Sequence, residues 1–152
     1  MVPNKIAILA ASSLMTVSAF AFAHSGATGI VKQRMEAMKD VGKQMKIIGE
    51  MIKGTAAFDG LAAKKAADTI SEHAAEIQNL FPEGSTQSPS EALPAIWSEW
   101  DEFIAIADEM KFEAEKLSTI AKTASNTQEI KAQFMSVGKT CSGCHERYRL
   151  KK

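Results

Sequence analysis

A chain of 152 residues with 18 basic and 18 acidic side chains carries no net charge at pH 7. That balance excludes an overall electrostatic case for nucleic acid or an anionic membrane as partner. Only two cysteines are present, and both fall in one short motif near the C-terminus, so no structural disulfide is left over.

The N-terminus reads as an export signal. Lys5 supplies a short positive region, residues 6–22 are apolar and small, and Ala21-Phe22-Ala23 is an A-x-A cleavage site. The apolar run is broken by Ser12, Ser13 and Thr16 and is followed by no stop-transfer charge cluster, which argues against a transmembrane anchor. The expected organisation is a signal peptide over 1–23 and one domain over 24–152. The mature chain starts at His24, lies in a bacterial-type periplasm and spans no membrane. It keeps 17 basic and 18 acidic residues, a net charge near −1.

The remaining pattern predicts four helices and no strand. The first covers about 28–53. Its stripe Arg34, Met38, Val41, Met45, Ile48, Ile52 has the 4-3-4-3-4 spacing of a bundle seam. Gly54 suits a C-terminal stop, while Gly42 and Gly49 inside the helix would let a neighbouring helix or a flat ring come close. The second helix follows Asp59, a good N-cap, and runs to about 80, with a weak, alanine-rich seam of Leu61, Ala66, Ile70, Ala74, Ile77 and Phe81. A loop rich in Pro, Gly and Ser follows over 82–89.

The third helix starts near Pro94, suited to a first turn, and runs to about 123. Its seam is Ile96, Trp100, Phe103, Ala107, Met110, Ala114, Leu117. Its outer face is acidic. The fourth begins at Asn126, with Glu129 three residues on as in a capping box, and runs to the C-terminal lysines. Its seam is Ile130, Phe134, Val137, Cys141, Cys144, Tyr148. Short connections make these four helices an antiparallel, all-α four-helix bundle.

The last helix carries Cys141-Ser142-Gly143-Cys144-His145. This is C-x-x-C-H, the attachment signature of c-type haem. Two thiols add to the haem's vinyl groups and the adjacent imidazole ligates iron. On a helix the three residues stand at i, i+3 and i+4, one face. A Cys141–Cys144 disulfide would leave His145 unexplained, zinc would need a second ligand pair, and a thioredoxin-like site would need a βαβ context. One covalently attached haem c per chain is therefore expected, with His145 as proximal ligand.

His145 lies about 10 Å from the C-terminal end of its helix and Met38 about 15 Å into the first. In an up-down-up-down bundle the two sit at similar heights. Met38 is thus the candidate sixth ligand, since a thioether suits haem iron and raises its reduction potential; the alternative is a core-filling methionine. Met35, one turn earlier, is its competitor. Met45, Met110 and Met135 are expected to pack. His24 and His73 are placed poorly for ligation. Arg34 reads either as a side chain snorkelling at the bundle's end or as the partner of a haem propionate. Arg147, Arg149, Lys151 and Lys152, extended by Lys32, Lys39, Lys43 and Lys46, form either a solvated helix end or a basic collar for an acidic redox partner.

A C-terminal C-x-x-C-H on the last helix of a four-helix bundle resembles the class II c-type cytochromes, the cytochrome c-prime family. Lys32-Gln33-Arg34 is similar to the family's first-helix K-x-R, whose arginine lies near a propionate. Pro94-Ala95-Ile96-Trp97 is similar to its P-x-I-W. Val137-Gly138, Cys141, Cys144-His145 and Tyr148-Arg149 are similar to its V-G-x-x-C-x-x-C-H-x-x-Y-R ending. High-spin members block the sixth site with an apolar or aromatic residue four positions after the arginine. Here that position is Met38, in a Met38-Lys39-Asp40 run like that of low-spin, methionine-ligated members. The resemblance also implies a homodimer through the first two helices.

Together these readings predict a periplasmic electron carrier rather than an enzyme, with redox proteins as partners and iron held by His145 and Met38. The alternative is a five-coordinate haem protein that binds nitric oxide or carbon monoxide.

Overall fold

The computed structural model describes residues 26–151. The expected signal peptide and the mature terminus at His24 lie outside the described residues. Among those described, helices α1 (Gly29–Ile52), α2 (Gly60–Ala75), α3 (Ile77–Leu80), α4 (Ala95–Ser98), α5 (Trp100–Ala121) and α6 (Thr127–Tyr148) follow in order, with no strand beyond an isolated bridge between Ala92 and Arg149.

These segments make four rods, α1, α2–α3, α4–α5 and α6. Two of the four expected helices are interrupted. The second breaks at Glu76, which stays near the helical region at φ −90°, ψ −4°. The third breaks at Glu99, at φ −124°, ψ 40°. The fourth stops at Tyr148, before the lysines, because Arg149 turns extended. Leu93 N–H then donates to Tyr148 O at 2.9 Å and Leu150 N–H to Glu91 O at 2.8 Å. The end of α6 is thereby stitched to the segment before α4.

The ends that capping chemistry singles out are observed. Asp59 accepts from Ala62 N–H at 3.0 Å, and Asn126 accepts from Gln128 N–H at 3.0 Å. Glu129 reaches back to Ser125 N–H at 3.3 Å. Gly54 ends α1 at φ +75°, where a β-carbon would be strained.

The core is one cluster shared by the four rods, with Ile48, Ile70, Ile96, Phe103, Leu117, Ile130 and Val137 its largest fully buried members. Each such side chain contributes about 1.5–3 kcal/mol of burial. α2 packs closely on α5 because alanines line it: Ala63, Ala66, Ala67 and Ala74 are all buried, so the backbones approach without large side chains between them. Two expected packing residues are corrected. Leu61 is 74% exposed and Met135 55% exposed. Each stands on the helix face turned away from the buried stripe of its own helix.

Candidate haem-binding site

α1 and α6 run antiparallel and touch sparsely along their length. Two close approaches fix their register. The Phe134 ring lies 3.6 Å from the point a β-carbon on Gly49 would occupy, and the Met45 methyl lies 4.0 Å from the corresponding point on Gly138. Four residues back along α1 thus match four residues forward along α6. The same register, carried on by helical periodicity, pairs Gly42 with Cys141 and Met38 with His145. A β-carbon on Gly42 would meet nothing within 4 Å, so the α1 surface is open at that residue.

The single seam expected on each helix divides into two stripes. On α1, Val31, Arg34, Ala37, Val41, Ile48 and Met51 are buried, while Met45 and Gly49 are turned to α6 and Met38 and Gly42 continue their stripe by helical spacing. On α6, Ile130, Gln133, Val137, Thr140 and Tyr148 are buried, while Phe134 and Gly138 are turned to α1 and Cys141 and His145 continue their stripe by helical spacing. Both outward stripes have 4-3-4 spacing.

Cys141 and Cys144 are free and half-buried, and both pack against the core. Burial pushes both thiols up, Cys144 to about 11, with the Cys141 thiol adding to it. His145 faces solvent. Its pKa lies below the ordinary imidazole value, through partial burial first and the Arg149 cation second. It is therefore neutral at neutral pH, with a nitrogen lone pair to offer. An open depression of about 420 Å³ lies beside it, lined by Ser142, His145, Glu146, Arg149 and neighbours. Two unpaired thiols and a neutral imidazole on one turn, beside an open helix face, fit a covalently held, histidine-ligated haem.

Met38 is half-buried and packs against the core, as does Met45. Met35 is also half-buried but does not join that packing. Met110 is buried, 7% exposed. His73 is engaged elsewhere, its Nε2 2.9 Å from Asp40 Oδ2.

Arg34 does not snorkel. It is 5% exposed, and its fork is spent on the loop after α3. Nη1 donates to Leu80 O at 3.3 Å and Ser85 Oγ at 3.1 Å. Nη2 donates to Ser85 O at 2.8 Å and Ser90 Oγ at 2.6 Å. The guanidinium also stacks on Phe81 at 4.4 Å, and burial lowers its pKa. Trp97 Nε1 anchors the same loop by donating to Phe81 O at 3.0 Å. Sequence reading missed Ser85 and Ser90; the available signal was a serine-rich loop beside an arginine on an apolar stripe, since a buried fork needs acceptors.

The basic cluster is only partly a collar. Arg149 pairs with Glu91 at 2.6 Å and Arg147 with Glu99 at 2.6 Å, so these two tie down the end of α6. Lys32 and Lys46 make i,i+4 pairs with Glu36 and Glu50. Among the described residues, no helix is long and apolar enough to cross a membrane.

The family model for cytochrome c' matches residues 29–149. A cytochrome c-556 of Agrobacterium tumefaciens (strain II Chrys) is 35% identical over 124 residues, 82% of this chain and 99% of that protein. The structure of cytochrome c' from Rhodopseudomonas palustris superposes with a TM-score of 0.76 at 28% identity, over 83% of this chain and 99% of that one. The nitric oxide complex of a mutant cytochrome c prime from Alcaligenes xylosoxidans superposes with a TM-score of 0.72 at 27% identity, over 81% and 94%. Haem c held covalently is the cofactor of this family, the fold is its four-helix bundle, and the match runs over every described helix: the chain belongs to the cytochrome c' family.

Proposed function

We propose that this chain is a periplasmic electron carrier, with Cys141 and Cys144 holding the haem and the iron ligated by His145 on one face and Met38 on the other. The observation that supports this most is the pair of α1–α6 contacts at Gly49 and Gly138, whose register, extended by helical periodicity, puts Met38 level with His145. The bound haem supplies one-electron chemistry at its iron. The chain's residues do the rest. The two thiols fix the ring on the α6 face, and neutral His145 offers its lone pair. The Met38 thioether closes the distal side, so little rearranges on electron transfer and no open position invites ligands. The Arg34 fork is engaged by Leu80 O and the loop beyond it, and its place near a propionate rests on the resemblance alone. The signal-like N-terminus supports export, and Lys39 and Lys43 beside the open α1 face support docking by redox proteins. The resemblance also favours a homodimer.

A second reading has the better support from the comparisons. The solved relatives carry the name cytochrome c', and one is a nitric oxide complex. In this reading Met38 only packs over a haem whose iron His145 alone ligates, and nitric oxide or carbon monoxide binds on the distal face. The visible spectrum of the reduced protein separates the two. Sharp α and β bands that carbon monoxide leaves unchanged support the electron carrier. Broad bands that shift under carbon monoxide support the gas-binding protein.

A further inference from the structure

The unpaired charges of the bundle are sorted by side. On α1, Lys39 and Lys43 are exposed and stand one turn apart on one face. They directly follow Met38 and Gly42. On α6, Lys139 is exposed and directly follows Gly138, which the Met45 methyl approaches. The register set by that approach, extended by helical periodicity, puts Lys39 level with Cys144 and Lys139 level with Gln44, next to Lys43. Among the described residues none of the three lysines is in an ion pair. Nearby carboxylates are mostly engaged: Glu36 by Lys32, Glu50 by Lys46 and Asp40 by His73. Glu146, exposed on the turn that carries His145, is the carboxylate left to oppose them.

α5 is the reverse case. It packs on α2 and α6 but not on α1, so it lies diagonally across the bundle from Lys39 and Lys43. Its cations Lys111 and Lys116 are paired with Glu115 and Glu113. Asp101, Glu102, Asp108 and Glu109 are exposed and, among the described residues, in no ion pair. The Arg147–Glu99 pair ties the start of α5 to the end of α6, so these carboxylates also stand at the haem-bearing end. That end is therefore a transverse dipole in a chain with no net charge.

We propose that Lys39, Lys43 and Lys139 form the docking surface for an acidic patch on a redox protein, and that the α5 carboxylates keep the opposite side turned away from it. This surface rests on the electron-carrier reading and names the chemistry of that carrier's partner. Complementary charge steers the encounter and fixes its orientation more than it adds affinity, so the α1–α6 side that bears the haem meets the partner first. An anionic membrane is broad enough to meet both signs of the dipole, whereas a local acidic patch meets the lysines alone. A second copy that offered its α5 carboxylates would leave its own lysines free for the next copy, an open-ended contact.

The test sets local charge against net charge. Ferrous, haem-loaded protein is mixed with hexacyanoferrate(III) in a stopped-flow instrument; the iron gives up one electron and the reagent gains it. The exported chain is slightly anionic and the haem propionates make it more so. Net charge alone therefore predicts that this anionic oxidant reacts faster as salt rises. The lysine surface predicts the opposite, a rate that falls as the screening length shrinks from about 30 Å to about 8 Å. Lys39→Gln with Lys43→Gln and Lys139→Gln is expected to lower the low-salt rate about tenfold. Asp101→Asn with Asp108→Asn and Glu109→Gln shifts the net charge by the same amount in the other direction and is expected to leave the rate within about twofold. Poly-L-glutamate, standing in for the acidic patch, is expected to slow the wild type and spare the lysine variant. A rate that rises with salt in the wild type, or an α5 variant that changes it as much as the lysine variant does, overturns the proposal. So does lysine-dependent binding to phosphatidylglycerol vesicles with no effect of poly-L-glutamate, which assigns the surface to a membrane, or lysine-dependent self-association in sedimentation, which assigns it to a second copy. Failure of the electron-carrier reading shows separately, as carbon monoxide binding by the reduced wild type.

Discussion

The Met45 side chain reaches across from α1 so that its methyl lies 4.0 Å from the β-carbon position of Gly138 on α6, and this contact decides what stands opposite what. Two turns away the same register brings Met38 level with His145. Glycine at 138 lets α6 come near enough for a single side chain to span the gap. At Gly42 a β-carbon would meet nothing within 4 Å, so the α1 surface there has room for a flat ring.

Two glycines are expected to respond oppositely to alanine. At Gly138 the added β-carbon makes ordinary contact, so the substitution keeps the interface and gains about 1 kcal/mol of helix propensity. At Gly60, the first residue of α2, the β-carbon would fall 2.8 Å from Ala121 O. Backbone oxygen cannot step aside cheaply, and a loss of about 1–3 kcal/mol is expected. Urea unfolding of both variants measures the contrast.

Arg34 holds the loop over 80–90 from beneath. Removing it as Arg34→Met takes the donor from Leu80 O, Ser85 O and the Ser85 and Ser90 hydroxyls, and a loss of about 3 kcal/mol or more is expected. Arg34→Lys recovers less than half, because one ammonium cannot reproduce a planar fork serving four acceptors. Thermal melts rank the three proteins, and faster proteolysis within the loop accompanies both variants.

The α5–α6 contact carries a pH dependence of known sign. Gln133 Nε2 donates to Glu113 Oε2 at 2.5 Å and to Glu113 O at 2.8 Å. The Glu113 carboxyl titrates below its ordinary 4.5, owing to Gln133 first and Lys116 more weakly, against opposing desolvation. A carboxyl whose folded pKa is lowered contributes stability above the unfolded value and loses it as pH falls through the folded one. Wild type is therefore expected to exceed Gln133→Leu by about 1 kcal/mol at neutral pH, and the difference is expected to shrink below the ordinary carboxylate range. Urea titrations at neutral pH and near pH 3 test this. A difference that grows in acid would contradict it.

Covalent attachment is checked by denaturation. Purified wild type is expected to keep its haem in acid and urea, with no thiol left to alkylate. Cys141→Ser with Cys144→Ser is expected to release the haem on denaturation. Either single variant keeps one thioether and stays coloured, with a shifted reduced α band.

Much of the fold is legible in the sequence alone. Spacing of apolar residues locates the rods, because buried faces repeat at the helical period. Asp59, Asn126 and Gly54 mark ends, because their local chemistry favours caps and stops. The breaks at Glu76 and Glu99 are not legible, since nothing about a glutamate announces them. The fate of Arg34 is not legible either, because its acceptors lie 46 to 56 residues away in a loop without periodicity. The division of each seam into a buried stripe and an α1–α6 stripe also needs the partner helix. Composition cannot tell a methionine that fills a core from one that faces a neighbour.

The measurement that bears most directly on Met38 is the far-red charge-transfer band of the oxidised protein, which reports a thioether–ferric haem bond. If Met38 is the sixth ligand, the wild type and Met35→Ala show the band, and Met38→Ala loses it and becomes high-spin. A wild type that lacks the band and binds carbon monoxide when reduced would contradict the electron-carrier reading and establish the gas-binding one. Loss of the band in Met35→Ala alone would place the ligand one turn earlier on α1 and contradict the role given to Met38.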